Sequence, residues 1–162
     1  QHQLRDGKYQ QRFEGGVRSA CFVKWPGMIN AGAVNQNIYS GVDLFTSFLQ
    51  VAGAEVPTGR VIDGKPMIES IITNKPVRNT FYAFAPQKEV QGVRYNNWKL
   101  VIDKRGGKTS LLLFNLASDP SELNDLASKN KNIVQTMYNL ATSAEQAVVN
   151  NLPLQETNNF NF

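Results

Sequence analysis

Two residue types that often carry chemistry are scarce in this sequence. Its 162 residues include one cysteine, Cys21, and one histidine, His2. A single cysteine excludes an internal disulfide, and the apolar neighbours of Cys21 predict a buried, inert thiol. A cysteine nucleophile needs a base, and His2 lies next to a terminus, where chains are commonly poorly ordered. The sequence therefore predicts no Cys–His active site of its own.

Long apolar runs and a targeting leader are also lacking. No run approaches the ~18 apolar residues that span a bilayer, so we expect no membrane partner. Residues 1–6 have neither the basic start nor the apolar stretch of a signal peptide, and the chain does not begin with Met. We therefore expect a processed product or a fragment of a longer protein, whose compartment the N-terminus does not reveal.

The charge balance is mildly basic, with a net charge of +4. The basic residues form no run, and no zinc-ligand, recognition-helix or RNA-binding pattern accompanies them, so no nucleic-acid partner is expected. A positive balance also suits an anionic substrate, although net charge alone does not identify one. Apolar residues make up 41% and charged residues 19%, as in globular proteins, and the length suffices for a compact core.

The first half of the chain predicts loops, one strand and two helices. Residues 1–18 favour a loop in which Gly15 and Gly16 provide a tight turn of positive φ or a close backbone approach. Residues 20–25 are β-rich and end at a Pro-Gly pair, which predicts a buried strand. Apolar residues at helical spacing predict a helix over 44–52. Its caps would be Ser40 and Gly53, and residues 66–73 predict a short second helix.

The second half predicts an antiparallel sheet and a final helix. Turn residues separate four short strand candidates, and such close spacing favours hairpins; they are residues 80–85, 90–95, 98–103 and 110–116. An amphipathic pattern predicts a helix over 130–150. The Asn-rich residues 152–162 predict a flexible tail. This order of elements is that of an α+β fold in which helices pack on an antiparallel sheet.

Seven segments in order resemble the central-to-late part of sulfatases. They are Leu4–Lys8, Phe13–Arg18, Phe22–Gly27, Gly41–Phe45 with Ala52–Ala54, Asp63–Lys65, Gly92–Arg94 with Trp98–Leu100, and Leu113–Leu116 with Asp119–Glu122. No single segment is specific, but their common order is. The chain is therefore identified as the C-terminal portion of a formylglycine-dependent sulfatase of the alkaline-phosphatase-like superfamily.

The resemblance implies a division of the chain and of the chemistry. Residues 1–75 would end the catalytic domain, with an active-site loop, a core strand and helices. Residues 76–151 would form the antiparallel-sheet subdomain, followed by the tail 152–162. Sulfatases use a formylglycine made from Cys or Ser, together with a divalent cation, usually calcium. Their nucleophile motif, Cys or Ser followed by X-Pro-X-Arg, does not occur at Cys21. We expect the nucleophile and the metal ligands upstream of this chain, which would pack on that part and be inactive alone.

One position matches a residue that contacts substrate in the family. Lys8 corresponds to the family lysine that binds the substrate sulfate, and its compact ammonium can donate to a tetrahedral anion. Five residues separate Lys8 from Glu14, where the family usually has four, so either the loop bulges or a neighbour such as Arg12 shares this role. Glu14 and Arg18 are expected to form an ion pair that fixes the turn. The resemblance places Glu14, Gly15, Gly16 and Arg18 near the active site as structural residues.

The resemblance leaves three functional hypotheses open. The first is a fragment of a sulfuric ester hydrolase acting on a sulfated carbohydrate or an aryl sulfate, in an extracellular, periplasmic or lysosomal location. The second is a non-catalytic module that binds a sulfated glycan. The third is a phosphodiesterase or phosphatase of the same superfamily, which the upstream nucleophile motif would distinguish from a sulfatase.

Overall fold

The computed structural model describes residues 4–7, 12–154 and 160. The chain divides into two compact units. One consists of Gln1–Ser19 with Thr80–Phe162, and the other of Ala20–Asn79. No helix in the described residues is long and apolar enough to cross a membrane.

The first unit contains a four-stranded antiparallel meander in the order β1-β2-β3-β4. Its strands are β1 (Thr80–Phe84), β2 (Val90–Tyr95), β3 (Trp98–Asp103) and β4 (Ser110–Asn115). A two-residue loop joins β2 to β3, so that Tyr95 pairs with Trp98, and Asn96 has the positive φ of 52° that asparagine tolerates in tight turns. A short 3-10 turn, Arg105–Gly107, connects β3 to β4. All four predicted strands are confirmed, each within one residue of its predicted end.

A long helix covers one face of this sheet. Two elements follow β4, the 3-10 turn Ala127–Lys129 and the helix Lys131–Val149, which the sequence predicts over 130–150. The helix buries Met137, Leu140, Ala141 and Ala144 against inward-facing residues of β2, β3 and β4. Beyond it, Phe160 stacks edge-on to Tyr95 and donates its backbone N–H to the Tyr95 hydroxyl at 3.0 Å.

The opposite face of β3 is covered by the N-terminal segment. This segment ends in a one-turn helix, α1 (Glu14–Val17), where the sequence predicts only a loop. Phe13 packs with Val101 of β3 and Phe114 of β4 in a small buried cluster. The central strand β3 is therefore buried on both faces, and its alternate side chains pack into two different hydrophobic clusters.

The second unit contains two helices organised around a buried carboxylate. They are α2 (Asp43–Ala52) and α3 (Ile68–Thr73); the helix Lys131–Val149 is therefore α4. Asp43 is fully buried and accepts the backbone N–H groups of Ser40 and Lys65, at 2.7 and 2.8 Å, and the Arg78 guanidinium. Gly53 ends α2 in the left-handed conformation, as predicted, whereas Ser40 does not cap the helix through its side chain.

The helix α2 turns its polar side inward. Its buried residues are Asp43, Thr46 and Ser47, because the Asp43 carbonyl accepts both hydroxyls and Ser47 accepts the Met67 N–H. The apolar residues that predicted the helix lie outward, and Phe48 is 65% exposed. The predicted extent of α2 is thus nearly right, but much of its apolar side is exposed.

Two predictions for residues 20–25 are wrong. The segment forms no strand, and Phe22 is 93% exposed. The thiol of Cys21 is likewise exposed instead of buried. A β-rich sequence forms a strand only where another strand supplies its hydrogen bonds, and the described residues place none beside this segment.

Candidate functional site

The predicted sulfate-contacting residue, Lys8, lies outside the described residues. Its two flanks, residues 4–7 and 12–18, are described, and both lie in the first unit. The contacts of these flanks therefore define the local framework to which Lys8 is joined.

Residues 12–14, in the flank that follows Lys8, run along the face of β3 that is opposite α4. An Arg12 guanidinium nitrogen lies 2.8 Å from Asp103, Phe13 packs on Val101, and Glu14 lies 2.7 Å from the Lys99 ammonium. Three consecutive residues thus meet the alternate residues of a strand that point to one face. Arg12, the neighbour that could share the sulfate contact with Lys8, has its guanidinium engaged by Asp103.

Three buried charged residues form what we call the Lys99 cluster: Glu14, Lys99 and Glu122. They are 3%, 1% and 0% exposed, respectively. The Lys99 ammonium donates to Glu14 Oε1 at 2.7 Å and lies 3.6 Å from Glu122 Oε1. The other Glu122 oxygen, Oε2, accepts the Glu14 backbone N–H at 2.7 Å, which satisfies a donor at the start of α1. One ammonium is therefore shared by two carboxylates inside the protein.

Burial dominates the electrostatics of this cluster. Desolvation raises the pKa of Glu122, and the nearby Lys99 charge and the hydrogen bond from the Glu14 backbone oppose that rise. Arg94 approaches from β2, with a guanidinium nitrogen 3.7 Å from Glu14 Oε2. Desolvation likewise lowers the pKa of Arg94. With Arg94 included, two positive groups compensate two negative groups.

Gly15 brings the two flanks into contact. Its N–H donates to the Arg5 carbonyl at 2.9 Å, and a Cβ at this position would lie 2.3 Å from the Asp6 carbonyl oxygen. Only glycine fits such an approach without a backbone shift. The predicted close approach is confirmed here, whereas neither Gly15 nor Gly16 has a positive φ.

The predicted ion pair between Glu14 and Arg18 is wrong. Arg18 is exposed, and its contact with Glu14 is the backbone bond that closes the single turn of α1, 2.8 Å from Arg18 N to Glu14 O. The Glu14 carboxylate instead faces Lys99 and Arg94, because α1 directs it toward the sheet.

Sequence reasoning missed the importance of Lys99, Glu122 and Arg94, although all three occur in segments that carry the family resemblance. A signal for Lys99 exists in the sequence, since it stands in a strand whose next three residues are apolar. A lysine in such a strand is a candidate for burial beside a partner. No comparable signal identifies Glu122, which lies in a polar turn after β4.

The described residues do not form a calcium site. No group of three or more His, Cys, Asp or Glu side chains is arranged to hold a metal ion within residues 4–7, 12–154 and 160. The two carboxylates of the Lys99 cluster enclose an ammonium, which occupies the place that a cation would need.

Comparison with known proteins identifies the family. The protein-family model for the C-terminal part of N-sulphoglucosamine sulphohydrolase matches residues 2–148 of this chain. The match covers most of the chain, so the chain belongs to this family of sulfatase C-terminal domains. The pig N-acetylgalactosamine-6-sulfatase is 42% identical over 72 residues, which are 42% of this chain and 14% of that enzyme. An uncharacterized sulfatase of Schizosaccharomyces pombe is 28% identical over 147 residues, 84% of this chain and 26% of that protein.

Solved structures show the same fold. The PsFucS1 sulfatase from Pseudoalteromonas sp. matches with a TM-score of 0.74 at 22% identity, over 94% of this chain and 34% of that one. A structure of BT4656 in complex with its substrate D-glucosamine-2-N,6-O-disulfate matches with a TM-score of 0.62 at 20% identity, over 83% of this chain and 29% of that one. The chain thus spans about a third or less of each of these proteins. The predicted α+β fold, with a four-stranded antiparallel sheet packed by a C-terminal helix, is confirmed.

Proposed function

We propose that this chain is the C-terminal portion of an enzyme that hydrolyses the sulfate esters of a sulfated carbohydrate. The observation that carries the proposal is the family match over residues 2–148. The substrate class is supported by the sugar named for the pig relative and by the disulfated glucosamine bound to a structural neighbour.

Within that enzyme, Lys8 would contact the substrate sulfate. Its described flanks support this role, because Arg5 and Gly15 are hydrogen-bonded to each other and Glu14 is held by two buried side chains. A lysine presented from such a framework supplies three donors and a full positive charge to a sulfate oxygen. Residues 14–18 would support the site without touching substrate.

The formylglycine and the calcium ion belong to the proposal as groups held outside this chain. Formylglycine supplies a hydrated aldehyde as the nucleophile toward sulfur, and calcium would neutralise the sulfate oxygens. The described residues do not form a cation site, so the ligands would come from the upstream part. An extracellular, periplasmic or lysosomal location is proposed on family grounds alone.

We propose further that the outward faces of the second unit pack on that upstream part. The apolar stripe of α2 (Leu44, Phe45, Phe48 and Val51) is 41% to 65% exposed, and Phe22 projects from an extended segment. So much exposed apolar surface on one small unit is typical of an interface. The upstream part is the occupant favoured by the comparisons, since the family match is to a C-terminal region and the relatives are several times longer.

The activity is tested with the enzyme extended by its upstream coding sequence. We expect sulfate release from sulfated monosaccharides and from 4-nitrophenyl sulfate, and none from the 162-residue chain alone. Lys8→Ala should lower kcat/KM about 10- to 100-fold, the effect of losing one charged hydrogen bond. Lys75→Ala, at an exposed lysine of the second unit, serves as the control. Turnover by the isolated chain, or activity on phosphate esters alone, would contradict the proposal.

The interface is tested by co-expressing this chain with the upstream part as a separate polypeptide. Phe48→Asp should abolish co-purification, whereas Gln50→Asp on the same helix should not. Sedimentation velocity of the isolated chain provides the alternative outcome. A stable homodimer that Phe48→Asp dissociates would show that a second copy, and not the upstream part, covers the stripe.

A further inference from the structure

The two described segments on either side of residues 8–11 both contact one residue, Glu122. The Glu122 side chain accepts the Glu14 N–H at 2.7 Å, and its backbone carbonyl accepts an Arg5 guanidinium N–H at 2.9 Å. Arg5 also stacks on the Phe13 ring at 4.0 Å. Glu122 is 117 positions from Arg5 and 108 positions from Glu14 in the sequence. It thus holds the chain on both sides of residues 8–11.

The backbone of Glu122 has a conformation that is uncommon for residues other than glycine. Its φ is 54°, in the left-handed region where residues other than glycine are uncommon. Glycine would adopt this conformation more readily, so the glutamate is retained at a conformational cost. What the glutamate adds is the buried carboxylate, which receives the Glu14 N–H and faces the Lys99 ammonium.

We infer that Glu122 is a positioning residue for substrate binding, because it clamps Arg5 and Glu14, which lie on the two sides of Lys8 in the sequence. It contacts neither substrate nor the reacting atoms. It acts by restricting where residues 5 and 14 lie, and a displacement of about 1 Å can cost on the order of 100-fold in rate. The inference rests on the proposed function only for the role of Lys8; the clamp itself can be measured without substrate.

The clamp is measured by the distance between two spin labels. Cys21→Ser removes the one native thiol, and labels are attached at Gly7→Cys and Asn132→Cys. An added Cβ at Gly7 meets nothing within 4 Å, and Asn132 is exposed on α4. We expect a single narrow distance distribution for the reference protein.

The side chain of Glu122 is then varied in two ways. Glu122→Gln keeps an oxygen that can accept the Glu14 N–H, and should preserve the narrow distribution. Glu122→Leu removes the acceptor, and should broaden the distribution. Both substitutions leave Lys99 paired with Glu14, so neither strands a buried ammonium. In the enzyme with its upstream part, Glu122→Leu should raise KM about tenfold, with a smaller change in kcat and near-reference behaviour for Glu122→Gln.

A second pair of variants covers the case in which Glu122→Leu does not fold. Arg5→Met removes the other half of the clamp from a partly exposed position and should also broaden the distribution. Arg60→Met, at an exposed arginine in the second unit, is the control. Unchanged distributions in folded Glu122→Leu and in Arg5→Met would overturn the inference. If the labels respond as expected but Lys8→Ala leaves activity unchanged, the clamp stands and the proposed role of Lys8 fails.

Discussion

Replacing Lys99 by Met removes the ammonium that lies between the two buried carboxylates of Glu14 and Glu122, and keeps a side chain of similar length. In the native protein this ammonium lies 2.7 Å from Glu14 Oε1 and 3.6 Å from Glu122 Oε1. Removing one partner of a buried ion pair costs about 3–5 kcal/mol, because the remaining charge is left uncompensated. Arg94 is only a partial substitute, since it is 3.7 Å from Glu14 and partly solvated.

That cost is large compared with the total stability of a small domain, about 5–15 kcal/mol. Lys99→Met should therefore lose about a fifth or more of the free energy of unfolding of the first unit. The loss should come from charge and not from packing. Adding Glu14→Gln and Glu122→Gln to Lys99→Met should then recover most of the lost stability, since the three most deeply buried groups carry no charge and Arg94 is partly exposed to solvent.

Urea denaturation followed by tryptophan fluorescence measures this directly. Trp25→Phe leaves Trp98, on β3, as the single tryptophan reporter of the first unit. The unfolding free energies of the reference, the single variant and the triple variant are compared at pH 7. A Lys99→Met variant within 1 kcal/mol of the reference, or a triple variant as unstable as the single one, would refute the reasoning.

Three further predictions concern separate features. The hydrogen bond from Arg105 lowers the pKa of Asp103 to about 2, below its ordinary 3.8. The stability that the ionised Asp103 adds to the folded state should be present above pH 4 and lost as the pH falls toward 2. The stability of Asp103→Asn should not depend on pH in this way between pH 4 and 2. An acid unfolding curve identical to that of the native protein would contradict the prediction. Gly15→Ala should destabilise the chain by about 1–3 kcal/mol in thermal melts, because its Cβ would overlap backbone atoms, whereas Gly7→Ala should be tolerated. Cys21 should react at once with a disulfide reagent in native buffer, and reaction only in denaturant would show that the thiol is buried.

Local patterns predicted the elements of the sheet and its helix accurately. The strands around Tyr95 and Trp98 are separated by an Asn-Asn turn, and the last helix follows a regular apolar spacing. Each pattern depends on residues a few positions apart, so the sequence alone contains the relevant interactions. The family resemblance was likewise readable from short segments in order, and the match over residues 2–148 confirms it.

The same patterns failed where an element needs a partner from elsewhere. The β-rich residues 20–25 form no strand, because no neighbouring strand in the described residues supplies hydrogen bonds. The apolar spacing in α2 located the helix, but Leu44, Phe45 and Phe48 are exposed and not buried in a core. Instead, the hydrogen bonds that the Lys65 backbone N–H and the Arg78 guanidinium donate to Asp43 hold the polar side of α2 inward.

The sequence by itself determined the local elements, the α+β class and the family, because hydrophobic period, turn chemistry and ordered motifs are all properties of neighbouring residues. Only the tertiary structure decided which charges meet. Glu14 is 85 positions from Lys99 and 108 from Glu122, and nothing local to any of these residues specifies the others. Their pairing follows from the burial of β3 on both faces, which removes these charges from water and makes each depend on the others for its compensation.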